Sequence, residues 1–155
     1  MTSETIMIRP FDAAADTQTL SEIWFQASLL AHPFIGEARL KEQKRLIEEK
    51  YLPLAETWVA CRAGEPVGFI SLLDTFVGGI FVSPREQGRG IGRRLIAHAL
   101  SARDGLTLEV YTANEQACRF YATLGFRELS RRGVDDEGLP FENARLHVTR
   151  DTAKV

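Results

Sequence analysis

Residues 87–94 read Gln87-Gly88-Arg89-Gly90-Ile91-Gly92-Arg93-Arg94, and the reading of this stretch decides the fold. Before it lies an apolar run, Gly79-Ile80-Phe81-Val82, with the character of a strand. After it, Ile91, Leu95, Ile96, Ala99 and Leu100 recur at three- and four-residue spacing, the stripe of an amphipathic helix. Three glycines at alternate positions let the backbone come close to a ligand and turn successive N–H groups one way. The helix start adds unpaired N–H donors and the positive end of its dipole. Together these make an anion site suited to phosphate. Four arginines, Arg85, Arg89, Arg93 and Arg94, stand there against one acid, Glu86. Two familiar phosphate motifs are excluded. No lysine followed by Ser/Thr closes a P-loop, and the dinucleotide fingerprint fails at Arg93 counted from Gly88 and at Leu95 counted from Gly90. Taken alone, the stretch is equally a solvated charged turn.

Working outward, Leu106, Leu108 and Val110 alternate as a strand after the loop helix. Strand, helix and strand in this order predict a crossover that makes the two strands parallel neighbours, with a ligand crevice at their carboxyl edge. Upstream, Ile6–Arg9 is a short strand closed by Pro10. A helix is expected over about Asp16–Ala31, on the stripe Leu20, Ile23, Trp24, Ala27 and Leu30. A charged second helix follows over Glu37–Tyr51, with Pro53 as its stop. Thr57–Cys61, Val67–Leu73 and Gly79–Val82 form an antiparallel meander, with Gly64-Glu65-Pro66 as a turn. Downstream, a helix over Asn114–Leu124 ends at Gly125, a left-handed cap position. Strands near Phe126–Arg132 and Leu139–Thr149 flank the turn Asp135–Gly138. The order is β-α-α-β-β-β-α-β-α-β-β, an α/β sandwich on a mixed, mainly antiparallel sheet.

Composition narrows the function. The chain of 155 residues, 45% hydrophobic and 26% charged, fits a single domain over 1–155 and excludes disordered and collagen-like chains. Nineteen Lys and Arg against 21 Asp and Glu leave a net charge of −2, which argues against a nucleic-acid partner. Cys61 and Cys118 lie far apart with no metal-ligand spacing, so no metal is expected; reduced thiols and a single disulfide are both compatible with the pattern. Met1–Arg9 lacks a leader pattern, and no apolar run is long enough for a membrane helix. The expectation is a cytoplasmic protein without a membrane partner.

Two stretches carry a resemblance. Gln87-x-x-Gly90-x-Gly92 after a strand is similar to the acyl-CoA-binding signature of the GCN5-related N-acetyltransferases, the GNAT superfamily. Asn114-x-x-Ala117-x-x-Phe120-Tyr121-x-x-x-Gly125-Phe126 resembles that superfamily's second signature, and the element order resembles its fold over nearly the whole chain. More narrowly, Trp24, Ser28, His32 and Phe34, with Val134-Asp135-Asp136-Glu137-Gly138-x-Pro140, resemble bacterial acetyltransferases of the YjaB type.

The resemblance implies acetyl-CoA as cosubstrate and transfer of its acetyl group to a primary amine, on a protein lysine or N-terminus or on a small molecule. It implies that the amides of Gln87, Gly88, Arg89, Gly90, Ile91, Gly92 and Arg93 hold the CoA pyrophosphate, with the loop arginines adding charge. Ile80, Phe81 and Val82 would pair with the pantetheine arm, and the amide of Phe81 or Val82 would polarise the thioester carbonyl. Asn114 would touch the pantetheine or cap its helix; Thr112-x-x-Glu115 is the rival cap. Tyr121 would protonate the departing thiolate. A phenol near pKa ~10 is neutral at pH 7 and can serve a thiol near ~8.5. A packed core aromatic is the plain alternative. Ser28, His32 and Phe34, with Phe25 and Leu29, are expected on the acceptor wall, joined by Phe141, Glu142 and Asn143. Glu109 and His32 are the candidates for taking a proton from the amine. His98 and His147 read as surface residues, and Cys118 as core packing. A non-catalytic acyl-CoA sensor is the alternative function, and both a monomer and a homodimer are compatible with the sequence.

Overall fold

The computed structural model describes residues 5–155, so the first four positions of the leaderless reading lie outside the described residues. Strand β1 (Ile6–Pro10) ends on its proline, and Asp12 then caps helix α1 (Ala13–Ala31) by accepting from the Ala14 and Ala15 N–H groups. The helix therefore starts earlier than the apolar stripe suggests. Asp16 is buried inside its first turn and takes two hydrogen bonds from the Arg9 guanidinium, at 2.7 and 2.8 Å. That bidentate pair fastens the helix to β1 and holds the Asp16 carboxyl below its usual range.

Helix α2 (Glu37–Leu46) runs on through a π turn, Ile47–Tyr51, into a last turn α3 (Leu52–Leu54). Pro53 does not stop the helix where expected, because it sits inside α3. In the wide turn before it the Leu52 N–H reaches the Ile47 carbonyl, and Pro53 falls at the start of the last turn, where a proline is tolerated. Strands β2 (Glu56–Arg62), β3 (Glu65–Leu73) and β4 (Phe76–Val82) form the meander. The turn between β2 and β3 is Ala63-Gly64, both with positive φ (51° and 83°), rather than Gly64-Glu65-Pro66; Glu65 and Pro66 already belong to β3. Helix α4 (Ile91–Ala102), strand β5 (Gly105–Tyr111), helix α5 (Glu115–Thr123) and strands β6 (Arg127–Arg132) and β7 (Asn143–Thr149) complete the order. The last hairpin is shorter than expected, and 133–142 is a connecting loop.

The seven strands lie in the order β1-β2-β3-β4-β5-β7-β6, and every pair is antiparallel except β4 with β5. One core layer packs α4 and α5 on the sheet, with Leu95, Ile96, Leu106, Leu108 and Val148 at its centre. The other packs α1 and α2 on the opposite face, around Leu20, Trp24, Leu40, Val59 and Phe69. The parallel pairing is brief. It covers Phe76↔Thr107 and Val77↔Leu108 only. Beyond Val77, β4 continues beside β3 and β5 continues beside β7, so the sheet opens a cleft between them. His98 and His147 are less exposed than expected; the His98 ring stands 5.0 Å from Trp58. Both cysteines are free. Among the described residues no helix is long and apolar enough to cross a membrane, and no cluster of His, Cys, Asp and Glu is arranged to hold a metal.

Candidate active site

A cleft of about 880 Å³ occupies the gap between β4 and β5. At one end stands the loop before α4. Gly88 and Gly90 have φ of +79° and +82°, and a Cβ on either would meet nothing within 4 Å. These two glycines are required by the backbone turn, and the space over them is open. Gly92 differs. It lies in α4, and a Cβ there would stand 3.0 Å from Cζ of Phe120. Its smallness lets α5 approach α4. Gln87, Gly88, Gly90, Ile91, Gly92 and Arg93 all line the cleft. Gln87 also donates from Nε2 to the Val82 carbonyl at 3.1 Å, tying loop to strand.

The four arginines divide, and Arg85 stays exposed in the Pro84–Glu86 turn before the loop. Arg94 turns away and donates to the Ile6 carbonyl on β1 at 3.2 Å. Arg93 reaches the Lys154 carbonyl at 2.7 Å while still bordering the cleft. Arg89 is exposed and stands 3.7 Å from Glu86, which Arg62 also holds at 2.9 Å. The expectation that all four serve phosphate is therefore corrected for Arg94, whose guanidinium fastens α4 to the edge strand.

Ile80, Phe81 and Val82 form the cleft's β4 wall. The Ser83 N–H bonds the Val67 carbonyl at 2.8 Å, and alternation along an antiparallel pair then turns Phe81 toward β3 and leaves Ile80 and Val82 facing the gap. Of the two amides considered from sequence, Val82 is on the open side. The Phe81 ring packs against Phe69 and Trp24.

Across the cleft, Asn114 caps α5: its Oδ1 accepts from the Ala117 N–H at 3.1 Å. Thr112 is not the cap; its hydroxyl donates to the Glu142 carboxylate at 2.8 Å. Tyr121 is 8% exposed and wedged edge-on between Phe120 and Phe126. Among the described residues its hydroxyl has no hydrogen-bond partner, and it borders the cleft. Burial raises its pKa, so the group stays protonated.

The other half of the cleft is lined by α1, α2 and the 133–142 loop. Ser28, buried, and His32 are there as expected. Phe34 is not a lining residue. It packs with His32, Tyr111 and Phe141 in an aromatic cluster behind the wall. Phe25 lies in the α1–α2 core with Leu29 packed against it, and Glu142 is committed to Thr112 and Arg131. Asn143 does line the cleft. The sequence reading missed Gln43, Leu46, Ile47 and Tyr51 on the α2 side and the acids Asp135, Asp136 and Glu137 opposite. The charged face of α2 was visible in its composition, but not what it faces.

Neither candidate base is free. Glu109 is held by Arg132 at 3.1 Å and Arg145 at 3.6 Å, one on each carboxylate oxygen. The Nε2 of His32 lies 3.3 Å from Nδ2 of Asn114, and burial lowers its pKa to about 4.

A strand–glycine loop–helix turn at one end of a splayed parallel pair, with Tyr121 across the cleft, is an arrangement compatible with an acyl-CoA-dependent transferase. The comparisons agree. Residues 53–128 match the Acetyltransferase (GNAT) domain family. The peptidyl-lysine N-acetyltransferase YjaB of Salmonella typhimurium is 38% identical over 125 residues, covering 80% of this chain and 86% of that protein. The peptidyl-lysine N-acetyltransferase YiaC of Escherichia coli is 31% identical over 127 residues, covering 81% of this chain and 87% of that one. The solution structure of apo-form YjaB from Escherichia coli superposes with a TM-score of 0.83 at 35% identity, over 92% of this chain and 97% of that one. The chain belongs to the GNAT acetyltransferase family and is an N-acetyltransferase.

Proposed function

We propose that the acceptor is a primary amine, foremost the ε-amine of a lysine in a protein, and that it attacks the thioester directly. The observation that carries this reading is the cleft itself: a phosphate-suited loop at one end, the unpaired Tyr121 hydroxyl within, and an acid-rimmed, apolar-floored half beyond. CoA would lie with its pyrophosphate on the amides of 87–93 and its pantetheine beside Ile80 and Val82. Asn114 Nδ2 would meet the pantetheine from the α5 side. The amine lone pair adds to the carbonyl carbon, the Val82 amide steadies the developing oxyanion, and the C–S bond breaks. The sulfur takes a proton from Tyr121, the attacking nitrogen gives up its extra proton to water as the adduct collapses to the amide, and a proton from water restores the Tyr121 phenol.

A lysine ammonium with pKa near ~10.4 must lose a proton before attack. Asp135, Asp136 and Glu137 border that half, Asp136 paired with Arg132 and Glu137 with Arg39, and the aliphatic stem suits the Leu46, Ile47 and Tyr51 side. With His32 and Glu109 already engaged, the proton leaves through water. Two relatives named as peptidyl-lysine acetyltransferases support the acceptor class.

The test is incubation with acetyl-CoA and cell extract, with mass identification of the acetylated species, alongside CoA release over an amine panel in wild type and Tyr121→Phe. Acetyl-lysine in protein, lost in the variant, supports the reading. Tight acetyl-CoA binding without turnover on any amine, lysine peptides included, would make the protein an acyl-CoA sensor instead.

A further inference from the structure

We infer that His32 is a positioning residue for the donor half of the site, acting through Asn114. This rests on the reading of Asn114 as a contact to the pantetheine. The geometry is specific about which atoms are involved. Asn114 Oδ1 is committed to the Ala117 N–H at 3.1 Å, so the amide cannot turn over without uncapping α5. Its Nδ2 therefore points at His32 Nε2, 3.3 Å away. An amide nitrogen only donates, so Nε2 carries the lone pair and the imidazole proton resides on Nδ1. One Nδ2 proton is thus spent on His32, and the second remains for a ligand in the cleft that Asn114 borders.

The imidazole is itself held. The Phe34 and Tyr111 rings meet it edge-on, with centroids 5.7 and 5.1 Å away. Tyr111 is fixed by donating its hydroxyl to Asp135 Oδ2 at 3.2 Å, and Asp135 Oδ1 accepts from the Glu137 and Leu139 N–H groups, both at 2.9 Å. Glu137 is anchored to α2 by Arg39 at 3.0 Å and Gln43 at 2.8 Å. His32 ends α1, its own N–H bonded to the Ser28 carbonyl at 2.7 Å. The acceptor wall and the 133–142 loop therefore converge on one lone pair that orients a donor-side amide. His32 is not the base of the reaction; its acceptor atom is taken.

The test measures the acetyl-CoA Kd by calorimetry and kcat and KM for a lysine peptide in four variants: His32→Leu, His32→Gln, Asn114→Ala and the His32→Leu/Asn114→Ala double variant. Thermal melts check that each is folded. Leu removes the acceptor, whereas Gln can place an amide oxygen near the Nε2 position. His32→Leu should weaken acetyl-CoA about 3- to 10-fold, the worth of one net hydrogen bond, with saturated kcat within about twofold of wild type. His32→Gln should restore affinity to within about twofold, and the Leu change should cost nothing further in the Asn114→Ala background. A kcat collapse in His32→Leu with donor affinity intact overturns the inference and makes His32 a base. Gln no better than Leu, or full additivity with Asn114→Ala, also overturns it. If Asn114→Ala alone leaves acetyl-CoA affinity unchanged, the fault lies in the donor-contact reading on which the inference rests.

Discussion

Gly90→Asp should separate ligand binding from folding at the anion loop. Gly90 is the N-cap of α4, with φ +82° and no atom within 4 Å of the position a Cβ would take. The added side chain thus strikes nothing. Its folding cost is that of holding an L-residue in the left-handed region, about 1 kcal/mol, which lowers the melting temperature of a chain this size by about 2–4 °C. Binding suffers far more. A carboxylate about 5 Å from a pyrophosphate charge opposes it by about 3 kcal/mol at an effective dielectric near 20, roughly a 200-fold loss of CoA affinity. Gly90→Asn is the control. It has the same shape and the same tolerance of positive φ without the charge, and should lose less than about tenfold. Calorimetric titration of CoA into the three proteins, repeated at high salt, reads the difference. Salt should narrow the gap between Asp and Asn as the Debye length falls from about 10 Å at 0.1 M toward 3 Å at 1 M. Asp and Asn weakening CoA equally, or Asp weakening it less than about threefold, would refute the electrostatic reasoning and return the loop to a charged turn.

Tyr121→Phe should lower kcat by about 10²-fold or more while leaving CoA affinity and the melting temperature nearly unchanged, because the hydroxyl makes no hydrogen bond among the described residues; rapid-quench turnover and a melt check both. Gly92→Leu should destabilise the fold by about 1–3 kcal/mol, since its Cβ would sit 3.0 Å from Phe120 and the atoms beyond it would displace the ring, and denaturant unfolding reads this directly. The pKa of His32 falls from 6.5 to about 4 on folding, so its contribution is full above pH 6.5 and is lost as pH drops toward 4. Wild-type stability should therefore decline across that window by at most about 3 kcal/mol, and His32→Gln should flatten the decline; urea midpoints at closely spaced pH values test the sign.

The parts legible in sequence are those where one residue decides its own local geometry. Gly125, at φ +97°, ends α5 as its position implied, and Gly88 and Gly90 were readable as turn residues for the same reason. Asn114 against Thr112 was a choice between two local caps, and it was settled from far along the chain, because Glu142 claims the threonine hydroxyl. Distance in sequence explains the remaining differences. Glu137 meets Arg39 across 98 positions, and Arg94 meets Ile6 across 88, so neither the acid rim of the cleft nor the loss of one arginine to β1 has a local signature. Gly92 shows the limit most sharply. In the string it is one of three equivalent glycines; in the fold its reason is Phe120, a residue of the second signature. The two signatures are therefore one physical unit, since the absent side chain in the first makes room for the aromatic of the second. Phe120 in turn braces Tyr121, with ring centroids 5.2 Å apart. A bulky residue at 92 should thus disturb the tyrosine as well as the loop through a single packing contact.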